Sequence, residues 1–403
     1  MPKTKQLPLH VGWVSSYVPK RCGIATFSRD LIGGIELADP TIRISISAAE
    51  SDADELTYGP YVVTTTNNSN PESFTAAGKK LAGMQLNALV VQHEFGLFGG
   101  NLTNFERDGK AIHQPLGDNI FRLINAADVP VIVTLHTVLP DPDDERREIV
   151  WKLADKAAAM VTMTNGAKEV LVDKYGIDAE KIRVIPHGVP SVTPVDAKSS
   201  KAELGLPADE PIMMITGLIG GNKGIDIAIN ALPRILKEYP KLKLYVVGQT
   251  HPDILAYSGE TYRESLMELA RELGVADSLV FVNKYLPVEE LVKYLRASDL
   301  YLTLHGDPEQ AASGTLAYAM GAGLVSISTP YRYAQEVLSD DRGLLVPFND
   351  DNAFSAAVLS ILGDPVRYAA MRKRAQAYGA SMSWPIVGRS YSDLIHSVAR
   401  VVQ

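Results

Sequence analysis

Apolar positions in this chain come in short continuous runs, rich in β-branched residues and separated by stretches of helical period. The runs lie at 9–14, 42–47, 61–65, 88–92, 129–135, 158–163 and 182–185, then at 212–216, 242–247, 279–282, 300–304, 324–328 and 343–346. Continuous rather than alternating apolar runs mark strands buried on both faces, the signature of parallel sheets covered by helices. Between them the period changes. Ile225, Ile229, Leu232 and Leu236 share one helical face, while Arg234, Lys237 and Glu238 lie elsewhere, and Asn222 reads as the cap. Strand and helix alternate in both halves, which predicts an α/β protein with two doubly wound, Rossmann-like sheets.

Length agrees with two domains, since 403 residues exceed one ordinary core. The expected division is a first domain over 1–192, a linker over 193–210, a second domain over 211–383, and a C-terminal helix over 384–403 that packs back on the first. The linker assignment rests on Pro194, Pro207 and the polar stretch 198–201. Residues 50–75 and 98–116 read as polar loops without clear period.

Composition narrows the function. A net charge of -8 excludes general nucleic-acid binding, which needs a basic field. The single cysteine, Cys22, excludes an internal disulfide framework and a thiolate zinc cluster, and it fits a reducing, cytoplasmic setting. The N-terminal residues lack the apolar stretch of a signal peptide, and no run approaches the ~18 apolar residues of a membrane span. Peripheral membrane contact stays open. His93, His136, His187, His251 and His305 lack the short spacings of zinc ligands, and no Asp-x-Asp ends a strand, so no metal site and no cofactor are expected.

Two loops carry candidate chemistry. One runs from Gly217 to Gly224, between the run at 212–216 and the helix with the Ile225 face. The other is Gln310-Ala-Ala-Ser-Gly-Thr315, after the run at 300–304 and before a helix over 316–322. Small residues let a ligand approach the backbone, and the free N–H groups of a helix start attract anions. Two such units in one half suggest a diphosphate ligand.

Gly217…Lys223-Gly224, the stretches 244–248 and 290–304, Ala319-Met-Gly-Ala-Gly323 and Gly343-Leu-Leu-Val-Pro347 occur in one order and spacing. In these motifs the chain resembles the retaining glycosyltransferases of family 4, the group 1 enzymes of GT-B fold. The resemblance implies two Rossmann-like domains facing across a cleft, a nucleotide-sugar donor held mainly by the second, and a carbohydrate or other hydroxyl acceptor held mainly by the first. It implies that Lys223 contacts the donor diphosphate, with Gly217 and Asn222 in the same loop. The paired glutamates of the family fall on Gln310 and Tyr318 here, beside Glu309. The Arg that usually follows the first glycine is Leu218, for which Lys284 or Arg332 could substitute.

Ser313, Gly314 and Thr315 stand for the family's glycine-rich turn, and their amides and hydroxyls suit a phosphate. Gly23, after the first strand, matches a glycine that meets the donor phosphate, with Arg21 beside it as an anion or acceptor contact. His136 stands where the family places a histidine toward the transferred sugar. His93 and Glu94 end the preceding strand and are candidates for acceptor binding.

The implied reaction moves a hexose, glucose or mannose by family frequency, to an acceptor hydroxyl with retained configuration. Lys223, Gln310 and His136 would carry it. Two other readings stay open: a disaccharide phosphorylase of the same fold, and a non-catalytic nucleotide- or glycan-binding protein.

Overall fold

The computed structural model describes residues 8–52, 54–99, 106–107, 110–111, 117–192 and 197–400. Chain contacts divide it into two compact units: residues 1–188 with 384–403, and residues 189–383.

Unit 1 holds seven parallel strands: β1 (Leu9–Ser15), β2 (Ile42–Glu50), β3 (Val62–Asn67), β4 (Ala88–His93), β7 (Val131–Leu135), β8 (Ala157–Thr162) and β9 (Ile182–Val184). Their spatial order is β3-β2-β1-β4-β7-β8-β9, and a small antiparallel hairpin, β5 (Glu106–Arg107) and β6 (Lys110–Ala111), stands apart. All six residues of β4 and all five of β7 are buried, as continuous apolar runs require. The helix Gly23–Ala38 covers one face and packs on the last helix, Trp384–Val398. The loop reading of 50–75 needs correction at its end, where a helix, Glu72–Ala82, begins. Its Phe74, Ala77 and Leu81 are buried, a helical spacing masked by polar neighbours. Most of the loop read at 98–116 lies outside the described residues.

Unit 2 holds six parallel strands: β10 (Ile212–Thr216), β11 (Lys243–Val247), β12 (Leu279–Val282), β13 (Leu300–Thr303), β14 (Val325–Ser328) and β15 (Gly343–Leu345). Their order is β12-β11-β10-β13-β14-β15, the doubly wound arrangement in which strand order reverses between the first and fourth strands. Its core joins Met213, Leu244, Leu302 and Ile327 from the sheet to Ile225, Ile229 and Leu232 of the helix Ile225–Glu238, the face predicted from period.

Part of the segment read as a linker is ordered structure. Residues Ala197–Glu203 form a helix, and Lys201 is buried there, donating to Asp299 (2.8 Å) and to the Glu210 carbonyl (2.7 Å). A lysine in a polar stretch reads as solvated; here a distant carboxylate takes it out of water.

Candidate functional site

The reversal of strand order in unit 2 lies between β10 and β13, and in open α/β sheets ligands bind beyond the carboxyl ends of strands at that point. Both glycine loops emerge there. Gly217 leaves β10 with φ +115°, and Gly224 turns the chain at φ +61°. A Cβ on Gly224 would lie 2.3 Å from the Leu304 carbonyl oxygen, so only glycine lets this loop pack on the end of β13. Gly224, not Asn222, therefore precedes the helix, and Asn222 makes no side-chain cap. Asn222 and Lys223 lie in a short 3₁₀ turn, Gly221–Lys223, whose Asn222 carbonyl accepts from the Gly306 N–H (3.2 Å).

This turn carries the Lys223 side chain back over Gly217. The ammonium nitrogen and the Thr315 methyl lie 3.4 and 3.3 Å from where a Gly217 Cβ would stand. Lys223, Gly217 and Thr315 thus share one spot. Burial lowers the Lys223 pKa to about 8, and no carboxylate among the described residues offsets the loss of water. His305, at the end of the neighbouring strand, is pushed to about 3 by burial and then by the Lys223 charge, so it stays neutral.

The second loop behaves as predicted in position and differently in detail. The helix Gly314–Gly321 starts at Ser313, whose hydroxyl accepts from the Leu316 N–H (3.3 Å) and is thereby committed as a cap. Gly314 and Thr315 form the first turn. Beneath it lie two buried tyrosines that the sequence reading passed over. The Tyr301 hydroxyl bonds Thr216 Oγ1 (3.2 Å) and also Thr315, while that of Tyr331 bonds Thr303 Oγ1 (2.9 Å) and also Ser313. Burial pushes both phenols up, which keeps them neutral. A tyrosine inside an otherwise aliphatic strand was the signal for Tyr301; a buried aromatic needs a partner for its hydroxyl.

Three polar candidates are engaged with neighbours. Gln310 donates from Nε2 to the Ala312 carbonyl (3.0 Å). Glu309 is ion-paired with Arg332, which removes Arg332 as a ready substitute for the missing arginine. Tyr318 is buried in its helix, 8% exposed, as an aromatic packed on the core.

In unit 1, Gly23 opens the helix Gly23–Ala38 without a side-chain cap, and open space surrounds it; Arg21 is exposed beside it. His136 follows β7, and its Nε2 bonds Gln92 Oε1 (2.9 Å). Its ring packs edge-on against Phe27, 4.9 Å between centroids, and Phe27 also touches His187 at 5.0 Å. Burial lowers His136 to about 3 and His187 to about 4. Two acceptor candidates require correction. His93 is fully buried against Phe95 and Phe98, with both ring nitrogens unpartnered among the described residues, so it is not displayed to solvent. Glu94 accepts from the Phe95 N–H (2.9 Å) and the Thr137 hydroxyl (2.6 Å), which makes it a brace for its loop. Strand ends point to both; only packing reveals that His93 faces inward and that Glu94 is spent on its own loop.

No group of acidic, histidine or cysteine side chains among the described residues could hold a metal ion. No helix among them is long and apolar enough to cross a membrane.

Two doubly wound parallel sheets, with an anion-suited loop pair at the strand reversal of one, define a GT-B fold. Solved structures of that fold cover 96% of this chain: Anabaena Alr3699/HepE in complex with UDP and glucose (TM-score 0.71, 15% identity, all of that chain) and the sucrose-phosphate synthase of Thermosynechococcus elongatus (TM-score 0.73, 18% identity, 98% of that chain). The family model for glycosyl transferases group 1 matches residues 196–378, and that for glycosyltransferase family 4 matches residues 112–191. Across these two stretches the chain is similar to the group 1 and family 4 glycosyltransferases. Relatives include proteins named D-inositol 3-phosphate glycosyltransferase. That of Nocardia farcinica is 32% identical over 64% of this chain, and that of Kineococcus radiotolerans 27% identical over 64%. The matched region spans 58% and 63% of those relatives' own length.

Proposed function

We propose that this protein transfers a hexose from a nucleoside diphosphate sugar to an acceptor hydroxyl, with retained configuration and without a metal ion. The observation that carries the reading is the Lys223 ammonium: half-buried, unmatched by a carboxylate among the described residues, and set over Gly217 beside the first turn of the helix Gly314–Gly321. A desolvated cation with no internal partner is stabilised by an anionic ligand. The leaving diphosphate supplies that anion, and Lys223 with the Gly314 and Thr315 amides stabilises the charge as the sugar departs.

The donor then occupies unit 2, with Gly217 and Thr315 close to the phosphates and Gln310 near the sugar. In this reading the departing phosphate takes the acceptor proton, so the protein's part is positioning and charge stabilisation. His136, neutral because of burial, offers a hydrogen bond to the transferred sugar and no proton at ordinary pH. Gly23 and Arg21, at the start of the first helix of unit 1, are further candidates for anion contacts. The relatives' printed names make a cyclitol phosphate one acceptor to test.

Replacing Lys223 is the direct experiment. Lys223→Ala should lower turnover by about 10²-fold or more, as loss of one preorganised charge partner does elsewhere. Turnover within threefold of wild type, in a protein that folds normally, would count decisively against the role. The non-catalytic reading draws on the engaged states of Glu309 and Gln310 and the buried Tyr318, which leave no carboxylate pair at the site. Donor hydrolysis across the common nucleotide sugars separates the two: tight binding without any turnover favours it.

A further inference from the structure

A recess in unit 1 lies beside the loops that follow β1 and β4. A cavity of about 230 Å³ opens at the carboxyl ends of β2 and β3, lined by Lys20, Glu50, Asp52, Asn67, Asn68 and the loop after β4 at Gly96 and Leu97. Parallel register delivers the set: Glu50 pairs with Asn67 at the ends of adjacent strands. The polar groups are held in place. Asp52 accepts from Asn67 Nδ2 (2.8 Å) and the Ser69 hydroxyl (2.6 Å). Asn68 Nδ2 donates to the carbonyls of Leu97 (3.3 Å) and Gly99 (3.2 Å), which leaves its buried Oδ1 unpartnered among the described residues.

Charge decides what fits. Among the described residues Lys20 is the only cation lining the recess, and its ammonium is bonded to Asp54 at 2.7 Å. With Lys20 spent on Asp54, the lining carboxylates of Glu50 and Asp52 leave the recess negative. A phosphate entering this field would be repelled and would lose its hydration without a free cation in return. Hydroxyl groups gain instead: carboxylates and a lone amide oxygen accept from them, and backbone groups complete the pattern. The volume lies below the ~300 Å³ at which drug-sized sites begin, which suits one ring rather than a nucleotide or an oligosaccharide.

We propose that this recess seats the acceptor through an uncharged polyhydroxyl ring, a monosaccharide or cyclitol, and that its carboxylates discriminate against a phosphate on that ring. The assignment rests on reading unit 2 as the donor site. It also separates this chain from relatives named for a phosphorylated inositol.

Saturation-transfer NMR on the full chain tests it with three probes: myo-inositol, methyl α-glucoside and inositol 3-phosphate. At least one neutral probe should bind about tenfold more tightly than the phosphate. Glu50→Gln combined with Asp52→Asn should weaken that neutral probe about tenfold and erase the discrimination. Lys20→Gln, a separate check that spares the acceptors, should leave neutral binding within threefold and deepen the rejection of phosphate. Melting curves confirm that each variant folds. No signal from either neutral probe, equal or tighter binding of the phosphate, or unchanged affinity in the double variant overturns the proposal. UDP and GDP binding, followed separately by thermal shift, is expected to be untouched by these changes. Its failure in wild type would sink the donor reading alone, because the polyol signal reports the recess.

Discussion

At the residue scale the proposed donor site turns on one ammonium group. Burial brings Lys223 to about 8, and a bound diphosphate must raise it again, because an opposite charge favours the protonated form. Below pH 8 the lysine is charged before the ligand arrives. Above it, each diphosphate must bring a proton to the site. His305 does not share the titration, since it stays neutral down to about 3, and the other neighbours, Gly217 and Thr315, do not titrate. The dissociation constant of a nucleoside diphosphate should therefore rise above pH 8, approaching tenfold per pH unit. Lys223→Arg keeps its charge throughout and should flatten the profile. Calorimetric titrations between pH 7 and 9.5 check both; a flat wild-type profile would contradict the assignment.

At the element scale, unit 1 depends on a close helix crossing. The helices Gly23–Ala38 and Trp384–Val398 meet at Gly34 and Gly388. A Cβ on Gly34 would lie 2.4 Å from the Trp384 carbonyl oxygen, and one on Gly388 2.1 Å from the Gly34 carbonyl carbon. These obstacles are backbone atoms, so no rotamer change makes room. Near the end of the pair, Asp39 bonds His396 (2.8 Å) and Ser392 (3.4 Å), which ties the last helix to the first. Gly388→Val should force the helices apart and cost about 3 kcal/mol, the upper range for overpacking. A melting temperature lowered by several degrees, with the change confined to the unit 1 transition in calorimetry, is the expected result.

At the scale of the whole molecule the two units should respond differently to acid. Unit 1 holds His93, His136 and His187 in neutral form, with values lowered to about 3, 3 and 4; among the described residues unit 2 holds His305 alone in this way. Each folded value lies below the ordinary 6.5, so between them the unfolded chain binds more protons and stability falls as pH drops. Each histidine contributes a slope of at most about 1.4 kcal/mol per pH unit. Scanning calorimetry from pH 7 to 4 should show the unit 1 transition moving down faster than that of unit 2. His187→Asn should make its slope shallower.

Much of this architecture was legible along the chain. Every strand in both large sheets overlaps one of the runs, and the central strands such as β4 and β7 are continuously buried, because strands covered on both faces cannot hide polar side chains. The glycine loops after β10 and β13 were legible too, since a left-handed turn at Gly224 leaves no other residue comfortable. Polar segments were harder. Asn222 looked like a cap until Gly224 interposed a turn, and residues 50–69 looked like loops although they line a recess. Local sequence states which polar groups are present and leaves open which of them are spent on each other.

The chain's hydrophobic period by itself determined two parallel sheets, their helices, and the places where the glycine loops leave the strands. Tertiary structure alone decided that Lys223 stands over Gly217 with no carboxylate beside it among the described residues, that Glu309 is claimed by Arg332, and that His93 faces inward. The reason is range. Burial of an apolar run follows from neighbours a few residues away, whereas the charge state and availability of a polar side chain depend on groups brought beside it from distant parts of the fold.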